Sequence, residues 1–167
     1  MTQSSQSHNP VLFLDFDGVL HTVHAQADQL FTAIPLLELV LREFPNLDVV
    51  VSSSWREVHP LDELLEYFSA DIRSRFIGIT PARPELAEVP DDLWSYVREG
   101  ECAVWIARHR PWVPWIAVDD DAWRFKPHSK RLFLVEGKIG LTAESVNALR
   151  KRLEALAQVG RKRNPPG

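Results

Sequence analysis

Residues 11–21 read VLFLDFDGVLH, and this stretch decides the fold. Its first four residues are apolar without alternation, which is typical of a strand buried on both faces of a parallel sheet. The run ends in two carboxylates, Asp15 and Asp17, and then in Gly18. Residues i and i+2 of an extended chain lie on the same side, so both carboxylates can lean the same way. The stretch therefore predicts a buried strand that ends in a polar site.

Further apolar runs follow this strand, each separated from the next by a segment with helical spacing. Leu36, Leu37, Val40 and Leu41 recur at helical spacing after Pro35. The predicted later strands are 47–51, 75–80, 114–121 and 131–136, and the predicted helices begin near 35, 61, 98 and 143. Alternating strands and helices indicate an open parallel, Rossmann-like α/β sheet flanked by helices, with ligands at the carboxyl ends of the strands.

Length and composition are those of one globular domain. The chain has 167 residues, 45% of them hydrophobic and 25% charged, with a net charge of −4. We expect a single domain over 10–159, a disordered tail over 1–9 and a basic flexible tail over 160–167. The polar N-terminus, the absence of an apolar run of membrane-spanning length and the single Cys102 favour a cytoplasmic protein without membrane or obligate protein partners.

Three of the predicted strands end in groups that bind phosphate or a cation. DFDG follows the first strand, Ser52 of SSSW follows the second, and Asp119 and Asp120 of DDD end the fourth. Close carboxylates repel each other, and a divalent cation relieves this repulsion. Oxygen ligands without His or Cys point to Mg²⁺, held by a metal set of carboxylates. That set consists of Asp15, Asp17, Asp119 and Asp120.

Taken singly, each of these motifs has an ordinary structural explanation. Asp-Gly is a common turn, SSSW is typical of a helix cap, and DDD is typical of a solvated loop. A calcium loop of the EF-hand type is excluded because Val19 and Gln26 stand where it needs oxygen ligands. All three motifs at the ends of buried strands favour a functional site.

DFDGVL over residues 15–20 resembles the first motif of the haloacid dehalogenase (HAD) superfamily of phosphohydrolases. More narrowly, LDFDGVLH, VVVSSSWR and IAVDDD are similar to small capless members found alone or attached to RNA-repair enzymes. The resemblance covers about residues 11–157. It implies a HAD-like sheet without a large cap domain, and an enzyme that hydrolyses phosphomonoesters with Mg²⁺ through an aspartyl-phosphate.

The same resemblance implies the roles of individual residues. Asp15 is the expected nucleophile, Asp17 the general acid and base, and Ser52 the phosphate-binding hydroxyl. Ser53 and Arg56 are further candidates for substrate contacts. Asp119 and Asp120 are the expected Mg²⁺ anchors.

The family's catalytic Lys is where this sequence departs from the pattern. No Lys occurs between residues 18 and 125. Arg98, at the start of the helix before WIAVDD, is the first candidate for this role, and Arg56 and Arg108 are the alternatives. Arg is a chemically reasonable replacement because its guanidinium binds phosphate in a bidentate manner.

The substrate stays open at this point. Without a large cap, an open site favours a bulky phosphate such as a nucleotide, a nucleic-acid end or a phosphoprotein, although a small molecule is not excluded. Trp55, Trp123 and Phe125 either stack on a base or pack in the core or rim. His21 and His24 follow the first motif and either contact substrate or, as is usual for loop histidines, have no role. The rival functions are a phosphotransferase and a non-catalytic phosphate- or partner-binding module.

Overall fold

The computed structural model describes residues 8–163. Residues 1–7 and 164–167 of the predicted tails therefore lie outside the described residues. Asn9 is an exception, because its side-chain amide donates to Asp48 Oδ1 over 3.2 Å and so ties residue 9 to the domain.

Five parallel strands form one sheet in the order β3-β2-β1-β4-β5. The strands are β1 Val11–Leu14, β2 Asp48–Val51, β3 Phe76–Ile79, β4 Trp115–Asp119 and β5 Leu132–Leu134. β1 lies at the centre, where it pairs with β2 on one side and β4 on the other. The prediction of an open parallel α/β sheet is confirmed.

The sheet is covered by helices on both faces. The helices are α1 Ile34–Glu43, α2 Leu61–Leu65, α3 Ala70–Arg73, α4 Val97–His109 and α5 Ala143–Arg163. Leu12 and Leu14 of β1 pack in the core cluster that contains residues of α1, α2, α3 and α5. Val11 and Phe13 pack in the opposite cluster with Cys102 and other residues of α4. Because each face of β1 meets a helical layer, its sequence is apolar without alternation.

Two helices differ from the predictions. The predicted helix that begins near residue 61 is two short helices in the structure, because the buried carboxylate of Glu38 on α1 accepts from both Ser69 N and Ser69 Oγ at 2.7 Å. These bonds fix Ser69 as the break between α2 and α3. At the C-terminus, α5 continues to Arg163, four residues beyond the predicted end of the domain at residue 159.

The connections after β1 and β2 are short. Between residues 8 and 163, the helices in these two connections have ten residues or fewer, so neither connection carries a separate cap domain. Over the same range, no helix combines the length and the apolar character that a membrane span requires.

Candidate active site

Strand register brings the predicted motifs together at one edge of the sheet. Leu14 of β1 pairs with both Val51 of β2 and Val118 of β4. The ladder continues one residue further, since Asp15 N donates to Val118 O and Ser52 N donates to Leu14 O. Asp15 therefore lies between the residues that end β2 and β4, at the carboxyl edge of the central strand.

Asp15, Asp119 and Asp120 form an acidic triad at this edge. One carboxylate oxygen from each lies within 4.8 Å of the others. Asp15 and Asp119 are buried, and Asp119 Oδ2 has no hydrogen-bond partner among the described residues. A buried carboxylate oxygen without a partner is costly, and an oxygen-preferring cation would satisfy it. The donor set and this unpaired oxygen fit a divalent cation such as Mg²⁺.

The negative charges of the three carboxylates in the triad repel one another. Burial, followed by the charge of Asp15, raises the pKa of Asp119 from 3.8 to about 7. Burial and the same neighbour raise the pKa of Asp120 to about 6. Burial also raises the pKa of Asp15, although Arg98 opposes this shift. The metal-free triad therefore holds protons more tightly than isolated carboxylates do, and a bound cation would displace them.

Two glycines give Asp120 its place in the triad. Gly18 has a positive φ of 74°, and a Cβ at this position would lie 2.2 Å from Asp120 Oδ2. A Cβ at Gly137 would lie 2.3 Å from the same oxygen. The Asp120 carboxylate thus fits between two backbone segments that only glycine leaves open.

Asp17 lies outside the acidic triad. Its Oδ1 is 2.8 Å from His21 Nε2, and Trp55 Nε1 donates to both of its oxygens at 3.1 Å. The structure groups Asp15, Asp119 and Asp120 without Asp17, and the membership of Asp17 in the metal set stays a prediction. Hydrogen bonds with His21 and Trp55 direct this carboxylate toward these two aromatic side chains.

Arg98 is the arginine that the structure places at the site. Its Nη1 lies 4.0 Å from Asp15 Oδ1, and its Nε lies 3.8 Å from Asp119 Oδ2. Both nitrogens are buried without a hydrogen-bond partner in the described part of the chain. Burial works to lower the pKa of Arg98, but Asp15, Asp119 and Glu101 outweigh it and raise the pKa. Arg98 therefore keeps its charge and has donors to offer a ligand beside Asp15.

The two alternative arginines are engaged elsewhere. Arg56 is buried and donates to the carbonyl oxygens of Ser52, Ser53 and Thr80 and to the Glu101 carboxylate. These bonds engage its guanidinium, and a substrate contact by Arg56 stays a prediction. Arg108 lies on the surface and pairs with the Glu88 carboxylate.

The three serines of SSSW have different surroundings. The Ser52 hydroxyl is fully buried and has no partner in the described residues. The Ser53 hydroxyl accepts from Trp55 N, and the Ser53 side chain works to lower the pKa of Asp15. Ser54 is exposed and lines the cleft above the carboxylates. Ser54 was not predicted from sequence, although it belongs to the quoted triplet, because local spacing does not show which serine faces the cleft.

The cleft above the triad has a volume of about 390 Å³. Trp123, Arg124 and Leu134 form its outer wall. Trp123 is 91% exposed, whereas Phe125 is buried in the core and cannot stack on a ligand. Arg124 was not singled out in the sequence; it follows the acidic strand end and pairs with Asp121.

Comparison with known proteins bears on the family of the chain. No curated protein matches the chain. A family model described as the HAD domain in Swiss Army Knife RNA repair proteins matches residues 11–146, which include β1, the SSSW segment, Arg98 and the acidic triad. The match covers most of the chain, so this protein belongs to the family of HAD domains in Swiss Army Knife RNA repair proteins.

Proposed function

We propose that this protein is a Mg²⁺-dependent phosphatase that hydrolyses a phosphomonoester through an aspartyl-phosphate on Asp15. The observation that carries the proposal is the position of Asp15, which stands at the edge of the central strand within the acidic triad. The free donors of Arg98 lie beside it, 4.0 Å away at the nearest ion-pair contact. The proposed nucleophile Asp15, the metal site of the acidic triad and the phosphate-binding side chain of Arg98 thus lie in one open cleft.

Asp15 performs the first half of the proposed reaction. Its carboxylate oxygen attacks phosphorus and forms a P–O bond while the bond from phosphorus to the ester oxygen breaks. The main obstacle is repulsion between the carboxylate and the phosphoryl oxygens. A bound Mg²⁺ supplies positive charge that offsets this repulsion. Arg98 donates to the same oxygens, and the Ser54 hydroxyl is placed in the cleft to donate as well.

Asp17 serves the proton transfers. The leaving ester oxygen takes a proton in the first half of the reaction, and a water molecule loses one when it attacks the phosphoaspartate. Asp17 is suited to both steps because its side chain is 50% exposed and lines the cleft beside Asp15. Water then releases phosphate and regenerates the Asp15 carboxylate.

A nucleotide or nucleic-acid end is the substrate class that the surroundings favour. The short connections leave the cleft open to a large molecule, and Trp123 presents an exposed ring at its wall. Base stacking on an aromatic side chain contributes about 1–3 kcal/mol per base. The family description, which names RNA repair proteins, supports the same class.

A phosphate-release assay tests the activity and separates the rival functions. The panel contains p-nitrophenyl phosphate, nucleotides and oligonucleotides with 3′- or 5′-phosphates, each with Mg²⁺ and with excess EDTA. We expect phosphate release that EDTA abolishes. Transfer to an added alcohol without phosphate release would identify a phosphotransferase, and binding without turnover would identify a non-catalytic module.

Two variants test the covalent route. Asp17→Asn keeps the size of the side chain but exchanges no proton, so we expect a burst of up to about one equivalent of p-nitrophenol and then slow turnover. Asp15→Asn should give no burst, because it lacks the nucleophile. Rapid-quench measurement of p-nitrophenol distinguishes the two. Wild-type steady turnover by Asp17→Asn would contradict its role as acid and base.

A further inference from the structure

We infer that His21 is a positioning residue that holds the Asp17 carboxylate in the orientation needed for proton transfer, an inference that rests on the proposed phosphatase function. His21 follows the first motif directly, four residues after Asp17, and does not belong to the acidic triad. Its role is carried by a hydrogen-bonded chain from the backbone of Phe31 through the His21 imidazole to Asp17.

The first link is the contact between His21 and Asp17. The His21 side chain is 2% exposed, and its Nε2 lies 2.8 Å from Asp17 Oδ1. The Asp17 side chain is 50% exposed at the cleft. A buried imidazole thus supports a carboxylate whose other side is accessible to substrate and water.

The second link determines the tautomer of His21. The backbone N–H of Phe31 donates to His21 Nδ1 over 3.3 Å. A backbone N–H only donates, so Nδ1 is the unprotonated acceptor of the imidazole. The ring proton is therefore on Nε2, from which it is donated to Asp17. This single backbone contact therefore sets the donor-to-acceptor direction of both hydrogen bonds, from Phe31 to His21 and from His21 to Asp17.

The third link is the rigidity of the surroundings. Phe31 has a φ of 60°, an uncommon left-handed conformation for a bulky residue, and this backbone carries the N–H that meets His21. Its ring packs edge-on against the imidazole with a centroid distance of 5.0 Å. A strained backbone that directs a hydrogen bond toward a reactive group is typical of a functional site.

Trp55 also supports Asp17. Its indole Nε1 donates to both carboxylate oxygens at 3.1 Å, and its ring packs against Phe31 with a centroid distance of 5.1 Å. Two N–H donors on rigid rings therefore fix the rotamer of Asp17. The carboxylate borders both the cleft over the triad and an adjoining groove of about 340 Å³, so it stands between the phosphoryl site and a space open to a leaving group.

Two substitutions separate the positioning role from simple packing. His21→Gln places an amide N–H near the position of Nε2 and keeps the donor to Asp17. His21→Asn places an amide oxygen near Nδ1, so it keeps the contact with Phe31 but loses the donor. With p-nitrophenyl phosphate, we expect His21→Asn to form phosphoenzyme normally and to hydrolyse it at least about 10-fold more slowly. His21→Gln should stay within about 3-fold of wild type in that step.

The matched control is His24→Asn, because His24 lies in the same loop and is exposed. It should leave both steps unchanged. Equal losses in the Gln and Asn variants would overturn the inference, since a packing role does not depend on which nitrogen is retained. Phosphoenzyme hydrolysis by His21→Asn at the wild-type rate would overturn it as well.

A measurement on the wild-type protein tests the same chain without turnover. Long-range ¹H–¹⁵N correlation spectra of the imidazoles should show a neutral His21 with a protonated Nε2, and Asp17→Asn should shift that ring's Hε2 resonance. A proton on Nδ1 would refute the proposed hydrogen bonds from Phe31 through His21 to Asp17, even if the variants failed to fold. An inactive wild-type protein would refute the proposed phosphatase, and the tautomer would then decide whether His21 orients Asp17.

Discussion

Replacing Asp119 with Asn should stabilise the metal-free protein at pH 8 while it weakens metal binding. Asp119 is 1% exposed and lies in the acidic triad with Asp15 and Asp120. Asn has nearly the same shape but no charge, so it removes the repulsion without opening a cavity. Arg98 keeps Asp15 and Glu101 as acidic neighbours after the change.

The size of the effect follows from the raised pKa. Burial and Asp15 raise the pKa of Asp119 from 3.8 to about 7 in the folded protein. At about 1.4 kcal/mol per pKa unit, this shift contributes about 4 kcal/mol to the free energy of unfolding when Asp119 is protonated in both states. Because the folded pKa is the higher one, this stability is present below the unfolded pKa and is lost as pH rises through about 7. Between pH 5 and pH 8, wild type should lose about 2–3 kcal/mol relative to Asp119→Asn.

Urea unfolding and thermal melting in EDTA at pH 5 and pH 8 measure this difference. For a domain of this size, the variant should melt about 5–10 °C higher than wild type at pH 8, relative to their difference at pH 5. Saturating Mg²⁺ should raise the melting temperature of wild type, because a ligand that binds only the folded state stabilises it. Calorimetric titration of Mg²⁺ should give at least about 10-fold weaker binding for the variant.

Asp121→Asn is the matched control. Asp121 follows the same strand but caps the next turn by accepting from Trp123 N, a role that Asn also fulfils. Its pH dependence and Mg²⁺ binding should match those of wild type. Unchanged Mg²⁺ binding by Asp119→Asn, or an equal loss of stability with pH in wild type and variant, would refute the assignment of Asp119 to a charged cation site.

Three further substitutions test other parts of the site. Gly18→Ala introduces a Cβ that meets Asp120 Oδ2 at 2.2 Å, so calorimetry should show Mg²⁺ binding at least about 10-fold weaker. Arg98→Ala should lower kcat/KM by at least about 100-fold in steady-state assays, whereas Arg108→Ala should change it by less than about 2-fold; the reverse order would reassign the phosphate-binding cation. Trp123→Ala should raise KM about 5- to 100-fold for a 3′-phosphorylated oligonucleotide and leave KM for p-nitrophenyl phosphate within about 2-fold. Equal effects on KM for both substrates would argue against base stacking on Trp123.

The parallel sheet and the burial of its first strand on both faces were predicted from sequence. The apolar run before Asp15 has no alternation, and this local property requires helices on both faces wherever the strand lies. Parallel strands also align their carboxyl ends, so Asp15 and Asp119 were expected at one edge before any contact was known. Strand pairing at Leu14 confirms this expectation.

The break between α2 and α3 was not predictable from sequence. The apolar spacing of residues 61–72 continues across it, and helical periodicity records only which residues face the core. The break depends on Glu38, which is 31 positions before Ser69 in the chain and binds both its N–H and its hydroxyl. A long-range polar contact of this kind leaves no local pattern.

The sequence alone determined which chemistry gathers at the strand ends, because burial of the strands and the order of the motifs are local or topological properties. The tertiary structure alone decided which partners each of these side chains has. It placed Arg98 at Asp15, sent the Arg56 guanidinium to backbone carbonyls, and turned Asp17 from the triad to His21 and Trp55. The physical reason is that a side chain's direction depends on partners distant in sequence, and a buried donor or carboxylate turns toward whichever of them satisfies its hydrogen bonds.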